Sequence, residues 1–273
     1  MSGAPLHTRI WQEEPEADNP FASRAAYCHG YDVYGQMLGQ AGWIDMLYLL
    51  LRGEAPQPAQ ARLLDALALA LANPGPRDPM VHAAMCGGVG GSPAAASLMA
   101  ALAVGAVQSG GAHEVYLSMK QWAACAHQPP ADWVATLTRH TPRGWLATDE
   151  AGWPEMAHAA GFDPNGVRIS TVVAQTLAAL AAMDGGPHLA WLQAHRAALE
   201  QAATCPLAMT GVAAAALTDL GFTPAQGEML YLLLRLPGAA AHALEQQDYG
   251  FKHFPFPAVN LQDDPLDKKE AQT

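Results

Sequence analysis

Alanine- and leucine-rich segments at helical spacing fill most of this chain, and strand-like alternation is nearly absent. This pattern predicts an all-α fold. The stretch 60–72 (QARLLDALALALA) combines strong helix formers with apolar residues three and four apart, and the Asn-Pro-Gly-Pro run at 73–76 stops it. Ser92-Pro93 and Thr223-Pro224 each place a capping residue before a proline suited to a first helical turn. Further helices are predicted over 93–108, 132–140, 167–183, 187–203, 210–220 and 224–235, with Gly221 as a C-terminal stop. The glycine cluster at 87–91 lacks the Lys-Ser or Lys-Thr of a phosphate loop and reads as a flexible connection.

Composition narrows the function classes. In a chain of 273 residues, 51% hydrophobic and 14% charged residues predict a large buried core. A net charge of −11 with no basic cluster argues against nucleic acid and anionic membrane surfaces as partners. The apolar runs are short and alanine-rich, which predicts core helices rather than membrane spans. The first thirty residues are polar and carry Glu13, Glu14, Glu16 and Asp18, unlike a secretory leader, so a cytoplasmic location is expected. Cys28, Cys86, Cys125 and Cys205 are scattered without a Cys-x-x-Cys pair, which predicts buried thiols and no structural metal.

Four motifs carry chemistry or its trace. Gly30-Tyr31-Asp32 is followed by Tyr48-Leu-Leu-Leu-Arg-Gly-Glu-Ala-Pro56, then by Ser109-Gly-Gly-Ala-His-Glu114. Trp153-Pro-Glu-Met-Ala-His158 precedes Asp163-Pro164-Asn165, and Leu234-Arg-Leu-Pro-Gly-Ala-Ala-Ala-His242 comes last. In this order they resemble the motifs of the citrate synthase and citryl-CoA lyase family, over roughly residues 27–260, and the short length is closer to the lyases. The resemblance implies a large helical domain (25–119 and 207–262), a small one (120–206) with a cleft between them, and terminal extensions at 1–24 and 263–273. Five of the eleven histidines and seven prolines fall in 120–206, a composition shift in keeping with that division. The charged tail from 262 onward is expected to be disordered.

The same resemblance assigns candidate residues. His158 falls on the family's second catalytic histidine, and Arg235 on an arginine that binds a substrate carboxylate. Ser109 stands where the family has a catalytic histidine, and Leu207 stands where it has the aspartate base. A leucine moves no proton, and a neutral hydroxyl stabilises an enolate less than an imidazole does, so ordinary citrate synthase activity is not expected. Arg168 is a candidate to replace the arginine missing at Asn165, with His113 as a further substrate-binding candidate. Gly110, Gly111 and Ala112 are the candidates for close backbone approach to coenzyme A, with tight helix packing as the other reading of the two glycines. Phe254 and Phe256 suggest an apolar contact where the family carries another arginine.

No tightly bound cofactor is expected, and a coenzyme A thioester is the implied ligand. The implied assembly is a homodimer or a heterodimer with a second citrate-synthase-like chain. Three classes follow: an acyl-CoA lyase or synthase with altered chemistry, a non-catalytic subunit of an intact family member, or a ligand-sensing homologue.

Overall fold

A computed structural model describes residues 7–125, 128, 130–138, 158–183 and 185–259. The stretch Trp153 to Ala157 and the tail beyond 262 lie outside them. Among the described residues the chain is mainly helical. The helices are α1 (Trp43–Arg52), α2 (Pro58–Leu71), α3 (Pro79–Val89), α4 (Ala94–Gly105) and α5 (Ala112–Cys125), then α6 (Pro130–Thr138), α7 (Thr171–Ala181), α8 (Pro187–Ala203), α9 (Met209–Asp219) and α10 (Pro224–Tyr249). A small antiparallel sheet precedes them, with β1 (Trp11–Pro15) paired to β2 (Ser23–Cys28) and β2 to the two-residue β3 (Tyr31–Asp32). This sheet is the exception to the helical expectation. Its strands are short, and only Ala26 and Cys28 of β2 are buried, too few positions to write a clear alternating pattern into the sequence.

Helix α9 is the centre of the larger core. Its residues 212–217 are fully buried, and α2, α5, α7, α8 and α10 all pack on it. A helix apolar on every side must be enclosed, and a run of four alanines lets its neighbours approach closely. A second core joins α3, α4 and α10 through Met80, Val81, Ala84, Ala101, Ala239 and Ala243. Phe254 caps this core, packed against His82 and Phe256, which gives the expected apolar contact near the C-terminus.

Two expectations from the sequence are corrected by this packing. Gly87 and Gly88 are part of α3 rather than a flexible connection. A side chain at Gly88 would lie 2.0 Å from the Ala243 carbonyl oxygen, so glycine is what lets α3 and α10 touch. The last helix continues through Pro237 to Tyr249 instead of ending at Arg235. Proline costs a helix one hydrogen bond, and here the neighbouring Gly238 N–H is redirected to the Ala72 carbonyl at the end of α2 (2.7 Å). His242, one turn on, sits 3.2 Å from Asn73 Oδ1. The Pro-Gly-x-x-x-His spacing therefore docks the end of α2 on the middle of α10.

The Tyr48 to Pro56 motif is likewise a framework device. Buried Tyr48 donates its hydroxyl to the Leu220 carbonyl (3.1 Å), Arg52 donates to the Gly221 carbonyl, and Gly53 closes α1 in the left-handed region. Thr223 caps α10 with Gln226 answering from the third position, as its spacing predicts. The other predicted helices begin and end within a few residues of expectation, except that α7 starts only at Thr171, behind a Ser170 cap, and that Pro93 rather than Ser92 is the N-cap of α4. Helices α1, α3 and α5 are not among those predicted from the sequence. Of the four cysteines, Cys28 and Cys125 are buried, Cys205 is half-buried and Cys86 is exposed, so the buried-thiol reading fails at Cys86.

Candidate functional site

The first turn of α5 and the loop 158–162 meet at one side chain, Glu114. It is 1% exposed. One carboxylate oxygen accepts from the Gly110 N–H just before the helix. The other accepts from the Gly161 N–H at 2.8 Å. A single carboxylate thus ties the glycine loop at 109–111 to the loop that carries His158. Gly110 and Gly161 both have positive φ, and a side chain on Gly161 would meet the backbone of Gly211 at 2.9 Å. The loop also pairs with the segment before α9, through Asp163 N–H to the Pro206 carbonyl (2.8 Å) and Ala208 N–H to the Gly161 carbonyl (2.9 Å).

His158 is 8% exposed, and its Nε2 lies 3.4 Å from Glu114 Oε1. That nitrogen has no hydrogen-bond partner among the described residues. A buried imidazole nitrogen without a partner is costly and is available to a ligand. Thr210 Oγ1, in the first turn of α9, is a second buried atom in that condition.

Helix α10 brings the opposing charge. Arg235 is 3% exposed, and it forms an ion pair with Asp78 through Nη2 while its Nη1 is buried with no partner among the described residues. Its guanidinium lies over the Tyr231 ring, 4.8 Å from the centroid. Burial pushes the Tyr231 hydroxyl pKa up to about 12; Arg235 opposes the shift, whereas Asp78 and Glu114 add to it. Tyr231 is therefore within electrostatic reach of both groups, the Arg235–Asp78 pair and the Glu114 that faces His158. At neutral pH it is a protonated hydroxyl.

The other candidates are found in different states. Ser109 and Gly110 are exposed, while Gly111 and Ala112 are buried where α5 begins. His113 pairs with Glu228 of α10 at 2.9 Å and stacks on Tyr116, at the half-exposed edge. Arg168 is exposed on the loop ahead of α7, outside any helix. Leu207 is 3% exposed and packs in the core, its N–H held by Glu200 at 3.0 Å. His188 and His195 lie among Trp122 and Trp191, with His188 Nδ1 2.6 Å from buried Asp219. Among the described residues no group of three or more His, Cys, Asp or Glu side chains is placed to hold a metal ion, and no helix is long and apolar enough to cross a membrane.

The sequence reading omitted Asp78 and Tyr231 from the site. Asp78-Pro79 carries the same cap-and-proline signal as Thr223-Pro224, and Tyr231 stands four residues before Arg235, on the same helical face. Nothing in the sequence alone connects residue 78 to residue 235.

The overall chain path matches that of citryl-CoA lyase from Hydrogenobacter thermophilus, with a TM-score of 0.70 over 97% of this chain and 99% of that one at 16% identity. The chain has a citryl-CoA-lyase-like fold. Two ATP citrate lyases share this fold over part of their length. One is from Methanothrix soehngenii, in complex with citrate and coenzyme A, with a TM-score of 0.72 at 14% identity over 97% of this chain and 43% of that one. The other is from Methanosaeta concilii, in complex with (3S)-citryl-CoA, with a TM-score of 0.71 at 12% identity over 98% of this chain and 44% of that one. The chain thus spans less than half the length of either ATP citrate lyase. No protein-family model matches the sequence, and no curated protein does.

Proposed function

We propose that this citryl-CoA-lyase-like protein binds an acyl-CoA thioester at the Glu114–His158–Tyr231–Arg235 cluster and makes or breaks a carbon–carbon bond beside the thioester. The observation that carries the reading is the buried Nε2 of His158, which has no hydrogen-bond partner among the described residues and lies next to the carboxylate of Glu114. In the cleavage direction a base removes the proton of a 3-hydroxyl group, and the bond between carbons 2 and 3 breaks. A carbonyl product leaves, and its electron pair remains on the thioester as an enolate that takes up a proton. His158 is the group available to move a proton, Glu114 orients it, and Tyr231 and Arg235 are donors for developing negative charge. Leu207 supplies no base, so chemistry here differs from the Claisen condensation of a citrate synthase.

The small-domain division at 120–206 and the glycine loop at 110–112 as the coenzyme A contact belong to the same proposal. The three-part reading of the sequence leaves one alternative with an observation behind it. Asp78 already satisfies part of Arg235 from within the protein, which favours a non-catalytic subunit or ligand sensor that pairs with an intact family member.

Thermal-shift titration with coenzyme A, acetyl-CoA and longer acyl-CoA esters tests binding, since a ligand that prefers the native state raises its apparent stability. A saturable shift with at least one ester is expected. Release of coenzyme A thiol from acetyl-CoA and oxaloacetate should fall well below an ordinary turnover, on the order of 1–10³ per second. His158→Ala should abolish cleavage of the bound 3-hydroxyacyl ester while leaving its binding within a few-fold. Binding with no turnover for any ester would select the sensor or subunit reading, and no binding at all would end the proposal.

A further inference from the structure

Asp78 holds two fixed positions at once. As the N-cap of α3 it accepts from the Met80 N–H through Oδ1 at 2.9 Å, and through Oδ2 it binds Arg235. The cap locks the carboxylate in place, and the positive end of the α3 dipole keeps its charge favourable there. Arg235 is buried, so its pair with Asp78 is largely shielded from solvent. Nη1 of the guanidinium is buried with no acceptor among the described residues. A guanidinium otherwise receives a ligand carboxylate through two parallel hydrogen bonds. Here an incoming polycarboxylate would have to displace Asp78 from its cap or lie beside its negative charge, with Tyr231 carrying no charge.

We propose that Asp78 is a built-in carboxylate that occupies Arg235 in place of a ligand's carboxylate, so that the site admits a ligand with a single acceptor there and turns away di- and tricarboxylates such as citrate. Asp78 is thus a specificity-determining residue. The inference rests on the reading of this cluster as the ligand site, and it narrows the substrate class to acyl-CoA esters whose distal portion is neutral or carries one carboxylate.

Asp78→Ser retains a capping side chain and removes the charge, which frees the guanidinium. Calorimetric titration with citrate should show binding to this variant about ten- to hundredfold tighter than to the wild type, the ratio expected for one gained charge-assisted hydrogen bond. The double variant Asp78→Ser/Arg235→Gln should lose that gain. Because removal of Asp78 strands a buried cation and could unfold the chain, Asp78→Asn serves as a second variant, with the citrate-dependent rise in melting temperature as its readout. The wild type alone also decides: citrate should not shift its melting temperature. Saturable citrate binding by the wild type would overturn the inference, as would folded variants that bind citrate no better. The acyl-CoA titration of the wild type is scored separately. An ester that binds the wild type while Asp78→Ser gains no citrate affinity defeats the specificity role and leaves the acyl-CoA reading standing. Gained citrate binding with no ester bound does the reverse.

Discussion

Glu114 shows how one residue can make a site out of two separate loops. Its carboxylate accepts from Gly110 and Gly161, forty-seven residues away from the second donor. Glu114→Ala would leave the buried Gly161 N–H without an acceptor and release the His158 loop. We expect a loss on the order of 1.5–3 kcal/mol in urea denaturation, the range for hydrogen bonds to a charged group. Glu114→Gln should recover part of it, because an amide accepts one of the two bonds and opposes the other with its own donors. Tyr231 gives a pH prediction at the same scale. Its folded pKa of about 12 exceeds the ordinary value of 10, so the unfolded chain loses the proton first. The stability tied to the protonated hydroxyl is fully present below about pH 10 and is lost as pH rises from there through about 12, on the order of 2–3 kcal/mol in total. Tyr231→Phe should flatten that part of the alkaline unfolding curve. Alkaline loss identical in variant and wild type would place the titration elsewhere.

At the scale of elements, α10 organises the molecule. Tyr231 and Arg235 are four residues apart and share one face, while Leu233, Leu236, Pro237 and Ala240 fall roughly opposite at helical spacing. The first face serves the charged cluster, and the second lines a groove with α1, α2 and α4. Between them run the contacts with α3, where Gly88 meets Ala243. Gly88→Ala should push these helices apart and cost about 1–3 kcal/mol, as overpacking of a tight contact does. The same displacement moves Asp78 at the other end of α3. Gly88→Ala should therefore also weaken ligand binding at Arg235, a coupling to be measured by comparing the denaturation midpoint with the affinity for the best acyl-CoA ester.

The whole molecule presents an apolar groove of about 1010 Å³ bordered by Trp43, Leu69, Leu98, Leu233 and Pro237. Trp43 is 72% exposed and Leu69 is 80% exposed. Apolar surface gathered in one groove is the usual mark of an interaction site. We propose this groove as the place where the homodimer or heterodimer implied by the family resemblance would form. Light scattering at micromolar concentration should report a dimer for the wild type, or a monomer that becomes a heterodimer when a citrate-synthase-like partner is added. Trp43→Glu with Leu69→Glu should abolish either assembly without unfolding the chain. A wild-type protein that stays monomeric alone and with such a partner would show that the groove has no such role.

By itself the sequence determined the helices and the likeness of fold. Helical periodicity, caps and prolines are local signals, written within a few residues of the elements they set, and the order of the motifs carried the citryl-CoA-lyase-like fold. The same local signals missed the short sheet and the passage of α10 through Pro237, because the acceptor that takes up the Gly238 N–H beside that proline is Ala72, far away in the chain. Motif positions identified His158 and Arg235 as candidates. Only the tertiary structure showed that Arg235 meets Asp78 and lies over the Tyr231 ring, and that Glu114 joins the glycine loop to the histidine loop. These are long-range contacts between charged or polar atoms. Such pairings leave no periodic trace in a sequence, and burial decides their chemistry by stripping water from each partner and fixing what remains unsatisfied.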